Sequence, residues 1–198
     1  MFKKKVPPAE QAKAWKQRLR QEGRALERNV TRILREEDRL KIRVKALARQ
    51  GETEAAIPLV QELYNSRKAR ARLLRTKVKM DSIVRQIDLQ LAQAKIVGAF
   101  QQSTDLTRML NQMVALPEVQ ATMMGLRGEM DNAGLIAEMA DEAFEMVEPE
   151  EVEDPDVAIR LVFNEIAREA NKAGGKQIQL LEIDPAELNE EQRQALAA

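Results

Sequence analysis

Twelve cationic side chains near the start of the chain are spaced to act together: Lys3, Lys4 and Lys5, then Lys13, Lys16, Arg20, Arg24, Arg28, Arg32, Arg35, Arg39 and Arg43. From Lys13 onward they recur three or four residues apart, which on a helix places them along one broad face. The chemistry open to such a face is ionic: it neutralises an anionic surface, either phospholipid or nucleic acid. Near anionic lipid each Lys or Arg contributes about 1 kcal/mol, so five acting at once give about 5 kcal/mol, an affinity on the order of 0.1–1 mM. A lone chain binds weakly at that level, whereas chains linked into a polymer bind by avidity. Phe2, just ahead of the three lysines, adds a small apolar wedge that could enter the acyl boundary. The expected membrane-contacting set is Phe2, Lys3, Lys4, Lys5, Lys13, Lys16, Arg20, Arg24, Arg28, Arg32 and Arg35.

Covalent and acid–base chemistry have little to work with. The 198 residues include no His and no Cys, which removes the commonest general base and metal ligand, thiolate metal sites and disulfides. Carboxylates are plentiful, but no Gly-rich cradle or apolar pocket pattern singles one out as an acid or base. Gly174-Gly175-Lys176-Gln177 lacks the earlier Gly and the following Ser or Thr of a phosphate loop and reads as a helix terminator. No catalytic residue, metal or cofactor is expected, and the chain does not read as an enzyme. Seven of the nine Met fall between Met109 and Met146; such polarizable side chains serve as core in one state and as a repacking interface in another.

Long helices must carry the basic face. Ala, Leu, Glu, Lys, Arg and Gln dominate, aromatic residues are only 3%, and the fold class is all-α with thin, extended packing. Residues 11–50 contain no Pro, and Leu19, Leu26, Val30, Ile33, Leu40, Val44 and Leu47 keep heptad spacing, interrupted at Gly23 and Glu37. That predicts one helix of about 60 Å. Gly51 and Thr53 supply a stop and an N-cap. A second apolar series runs through Leu59, Leu63, Leu73, Leu74, Ile83, Val84, Ile87, Leu91 and Ala94, closing a long antiparallel hairpin over about 11–100. Pro58 implies that this second helix begins nearer Ile57 or kinks.

Breaks at Gly98, at Ser103-Thr104-Asp105 and at Pro117 divide the next stretch of chain into shorter helices over about 105–147, the later one running from about Glu118 to Val147. Residues 148–155 read as an acidic, Pro-punctuated linker and hinge. Asp154-Pro155 then caps a last helix over 156–174, with Ile159, Val162, Phe163 and Ile166 on one stripe that requires a partner, and Gly174-Gly175 ending it. Residues 175–198 form an acidic tail, either disordered or a short partner motif.

Formal net charge is zero, yet residues 1–80 carry 23 Lys and Arg against nine Asp and Glu, and residues 81–198 carry nine against 23. The acidic part can therefore fold back on the basic one. No apolar run reaches the roughly 20 residues that span a bilayer, and the charged start lacks the apolar core of a signal peptide, so a cytosolic location is expected. Two other readings stay open on these residues: a soluble coiled-coil adaptor, and a basic helical nucleic-acid binder. Few aromatics are available for base stacking, and no nucleic-acid-binding module is recognisable.

Arg35-Glu36-Glu37, Ser66-Arg67-Lys68-Ala69 and above all Pro117-Glu118-Val119-Gln120-Ala121-Thr122-Met123 carry a resemblance to a known family. That last run continues through Leu126, Glu129-Met130, Ala133-Gly134-Leu135-Ile136, Glu138-Met139 and Phe144-Glu145. In these residues the chain resembles the charged multivesicular body proteins of ESCRT-III, with weaker likeness over about 9–170. The resemblance implies a helical hairpin subunit, peripheral on acidic endosomal membranes, that is autoinhibited while its C-terminal elements fold on the hairpin. It implies opening to form homo- or hetero-polymers with other ESCRT-III subunits, constriction and severing of membrane necks, and disassembly by an AAA-family ATPase with an MIT domain. Residues 1–10 would meet the membrane, and Ile159, Val162, Phe163 and Ile166 would hold the closed state. Such subunits often end in a short helix with Leu, Arg-Leu and a final basic residue that binds the ATPase. Only Leu188, Arg193 and Leu196 answer to it here, at a different spacing, so recruitment could depend on a co-assembled subunit.

Overall fold

The computed structural model describes residues 6–138, 154–184, 186 and 188. Among these residues there are five helices, in order α1 Pro8–Gln50, α2 Thr53–Val97, α3 Thr104–Val114, α4 Gln120–Asn132 and α5 Pro155–Lys172. The all-α class and the long first pair agree with the sequence pattern. Helix α1 starts on Pro8, whose missing N–H costs nothing in a first turn, and the amides of Glu10 and Gln11 bond to the Pro7 carbonyl. It ends where Gly51 takes φ +86°, a left-handed stop that favours glycine.

Helix α2 departs from expectation at its start. It begins at Thr53, four residues ahead of Ile57, and runs through Pro58. Pro58 is exposed and lies only one turn from the end, so the carbonyl it leaves unpaired faces water. Thr53 is therefore the first helical residue, and the preceding Glu52 accepts from the Ala56 amide.

The described residues form two compact units, each drawing on both long helices. The first joins residues 6–30 and 72–138. Its core runs along the heptad seam through Ala12, Trp15, Leu19 and Leu26 of α1, and Met80, Ile83, Ile87 and Ala94 of α2. Leu106, Leu110 and Met113 of α3, and Met123, Leu126 and Met130 of α4, complete it. Ser103 caps α3 by accepting from the Leu106 amide at 3.2 Å.

Pro117 and Glu118 lie in a turn before α4, and α4 stops at Asn132, with Gly134 at φ +81°. The single helix expected over Glu118–Val147 is thus shorter at both ends. Its residues 133–138 turn back instead: the Ser103 amide bonds the Leu135 carbonyl at 2.8 Å, and the Ala137 amide bonds Thr107 Oγ1 at 2.9 Å. The expected acidic linker lies outside the described residues up to 153.

The second unit joins residues 31–71 with 154–184, 186 and 188. Leu40, Val44, Ala48, Ala56, Val60 and Leu63 of the hairpin pack with Ile159, Val162, Phe163, Ile166, Ala167 and Ala170 of α5. Asp154 caps α5 by accepting from the Asp156 amide, and Pro155 occupies the first turn, as the sequence predicts.

Candidate functional surfaces

Helix α5 is seated by more than its apolar stripe. All four stripe residues are buried. Around them, Arg67 of α2 donates two parallel hydrogen bonds to Glu165, at 2.6 and 2.9 Å, and Lys45 of α1 pairs with Glu169 at 3.0 Å. The Arg67 hydrogen bonds hold the Glu165 carboxyl below the usual carboxylate range, and Glu165 in turn raises the Arg67 guanidinium. Arg49 Nη2 donates to the carbonyls of Gly174 at 3.0 Å and Ala170 at 3.4 Å. A cation there completes the free carbonyls and favours the negative end of the helix dipole.

The tail does not remain apart. Residues 177–184 form neither helix nor strand; Ile178 enters the hydrophobic cluster of this unit and Leu181 packs against it. Leu188 is buried, whereas Arg193 and Leu196 lie outside the described residues.

Of the expected basic set, Phe2, Lys3, Lys4 and Lys5 also lie outside the described residues. Lys13, Arg20, Arg24 and Arg28 are exposed in the first unit, and Arg32 and Arg35 in the second. Helical spacing sets them opposite the buried seam of α1. Lys16 is different: it sits on the flank of the seam, half-buried, in an ion pair with Asp88 of α2. Trp15 faces away from solvent altogether, its ring 5.5 Å from Phe100 and its Nε1 donating to Glu129 at 3.0 Å. Arg18 pairs with the other Glu129 oxygen, and Thr122 donates to Glu22 at 3.0 Å, so α4 is held to α1 by polar contacts as well as by its methionines.

Helix α2 has a second apolar face, which the sequence pattern did not disclose. Leu74, Val78, Leu89 and Ile96 are exposed, Val78 by 63% and Ile96 by 88%. On a 3.6-residue helix they fall on the side opposite Met80, Ile83 and Ile87. Leu74, one of the apolar series expected along the second helix, belongs to this outer face. Among the methionines, Met113, Met123 and Met130 are core, Met109 is half-buried and Met124 exposed; Met139 and Met146 lie outside the described residues. Among those residues, no helix is long and apolar enough to cross a membrane.

The chain belongs to the Snf7 family, which it matches over residues 14–185. This agrees with the hairpin fold and with the ESCRT-III resemblance carried by the residues around Pro117. Among individual proteins it is similar to charged multivesicular body protein 3 of Homo sapiens, 35% identical over 173 residues, 86% of this chain and 78% of that protein. The rat protein of the same name is 36% identical over 184 residues, 91% of this chain and 82% of its own length. The Xenopus laevis protein is 34% identical over 173 residues, covering 86% and 79%.

Proposed function

We propose that this protein is a non-enzymatic ESCRT-III subunit of multivesicular body sorting, peripheral on acidic endosomal membranes, which co-polymerises with other subunits to constrict and sever membrane necks. The observation that carries the reading is the outer face of α2. Four large apolar side chains lie along one exposed helix face, a pattern that marks an interaction surface. Its occupant is another subunit of the same fold, whose helices offer faces of similar length and spacing. The exposed cations of α1, with Lys3, Lys4, Lys5 and Phe2 ahead of them, then meet lipid with the avidity of many linked subunits. Lipid suits this face better than nucleic acid, because the lone Trp is buried against Phe100 and cannot stack on bases.

In this reading the seated α5 is the closed, autoinhibited state, and its departure opens the chain. An AAA-family ATPase with an MIT domain takes the polymer apart, reached through a co-assembled subunit or through the tail around Leu188 once that residue is uncovered.

Co-sedimentation with neutral and acidic vesicles, together with negative-stain imaging, tests this on the full chain and a version ending at Met146, each with and without a partner subunit. Binding to acidic vesicles and filaments, both enhanced by truncation, are the expected result. If neither version binds or assembles under any of these conditions, the soluble adaptor takes the place of the polymer subunit.

A further inference from the structure

Two asparagines on α5 hold the main chain of the tail. Asn164 Nδ2 donates to the Leu181 carbonyl at 2.8 Å, while the Leu181 amide donates to Asn164 Oδ1 at 2.7 Å. Asn171 does the same with Ile178, at 3.0 and 2.8 Å. Each carboxamide thus takes both the N–H and the C=O of one residue, as a neighbouring β-strand would. The spacings agree: seven residues of helix rise about 10.5 Å, and three residues of a polyproline-II-type chain, whose period of three returns residues 178 and 181 to the same side, span about 9 Å. Residue 164 pairs with 181 and residue 171 with 178, so the tail runs antiparallel to the helix. Gly174 and Gly175, at φ +85° and +109°, make the reversal that brings it back. Between the two pairs the tail offers side chains only at intervals, Ile178 buried and Leu181 half-buried.

We propose that this flank of α5 is a docking groove for an extended main chain with apolar residues three apart, and that residues 176–184 fill it as a strap whose lifting is a step of its own, before α5 leaves its seat. Asn164 is 5% exposed, among apolar neighbours. A carboxamide in that position requires partners, and the strap supplies them entirely through backbone, which any extended segment carries. The strap shares none of the ion pairs of α5 with Arg67 and Lys45, so it can lift while those hold. The order of lifting rests on the closed-state reading above; the groove itself does not.

The test is amide exchange by NMR on the full chain. In the unaltered protein, the Ile178 and Leu181 amides are expected to exchange at least tenfold faster than those in the middle of α5. Equal rates that shift together on adding denaturant would show one cooperative unit and overturn the separate step. Asn164→Ala with Asn171→Ala should speed the two strap amides at least tenfold further, and unchanged rates would dismiss the clamp. Because that pair of changes could also loosen α5, Ile178→Asp serves as a second variant, which changes no residue of α5. Adding a synthetic peptide of residues 176–188 to it should move the Asn164 and Asn171 side-chain amide resonances. If those signals stay in place, the groove does not accept a main chain from solution and that part of the proposal fails. None of these readouts depends on lipid or filaments, so a failed polymer leaves them standing.

Discussion

Glu37 shows how a single residue can be visible in a sequence and its meaning hidden. It breaks the apolar heptad of α1, and the fold buries it, its side chain 5% exposed, with Arg70 Nε of α2 at 2.8 Å. Two apolar residues would satisfy the seam as well, so the pair contributes register more than net stability. Taking away one partner is another matter, because the buried carboxylate loses its counter-charge. Arg70→Ala is therefore expected to destabilise the protein by about 3 kcal/mol, while Glu37→Leu with Arg70→Leu should come within about 1 kcal/mol of the parent. Denaturant unfolding of the three proteins measures this; an equal loss in both variants would remove the pair from the account. The interruption was legible from spacing. Its partner, 33 residues away on another helix, was not, because no local rule fixes which α2 residue faces it.

At the scale of elements, the Gly51 stop, the Asp154-Pro155 cap and the Gly174-Gly175 end are legible because they follow rules spanning four or five residues, whereas α1 begins at Pro8, three residues ahead of the start expected near Gln11. The end of α4 at Gly134 obeys the same rule, but the apolar residues beyond it hid the stop; they are buried as a returning segment under α3, not as further helix. The strap was illegible for a different reason, since its bonds join side chain to backbone across seven and 17 residues. The seating of α5 also has a pH signature. Glu165 titrates below its ordinary value because Arg67 holds it, so its contribution is complete above the unfolded value of about 4.3 and fades as pH falls through the lower folded value. Protection of α5 amides, taken relative to the intrinsic exchange rate at each pH, should thus be insensitive to this pair between about pH 5 and 8 and fall on acidification below about pH 4. Arg67→Ala should lower protection near neutral pH and flatten that acid response. An unaltered acid response in the variant would mean that other carboxylates govern the seat.

For the whole molecule, the division of charge along the sequence was the most informative number, and it predicted that acidic segments would meet basic ones. They do so inside each unit: Lys16 with Asp88 and Arg18 with Glu129 in the first, Arg67 with Glu165 and Lys45 with Glu169 in the second. What net charge could not show is that the chain has two outward faces of different chemistry, the cations of α1 and the apolar side chains of α2. The proposed function assigns them different tasks, and that assignment can be broken in a directed way. Val78 and Leu89 are 63% and 51% exposed, so Val78→Asp with Leu89→Asp should leave unfolding free energy within about 0.5 kcal/mol per site. On acidic vesicles the single-subunit binding measured at low protein concentration should persist, reduced only modestly by the two added negative charges. Filaments, and the steep rise of binding with concentration that avidity produces, should disappear. Arg24→Glu with Arg28→Glu should do the opposite, abolishing vesicle binding at every concentration while leaving partner-driven assembly in solution. If the aspartates leave filaments intact, the subunit contact lies elsewhere on the hairpin; if the glutamates leave vesicle binding intact, the basic face is only a solvated side of α1, and the charge division serves folding alone.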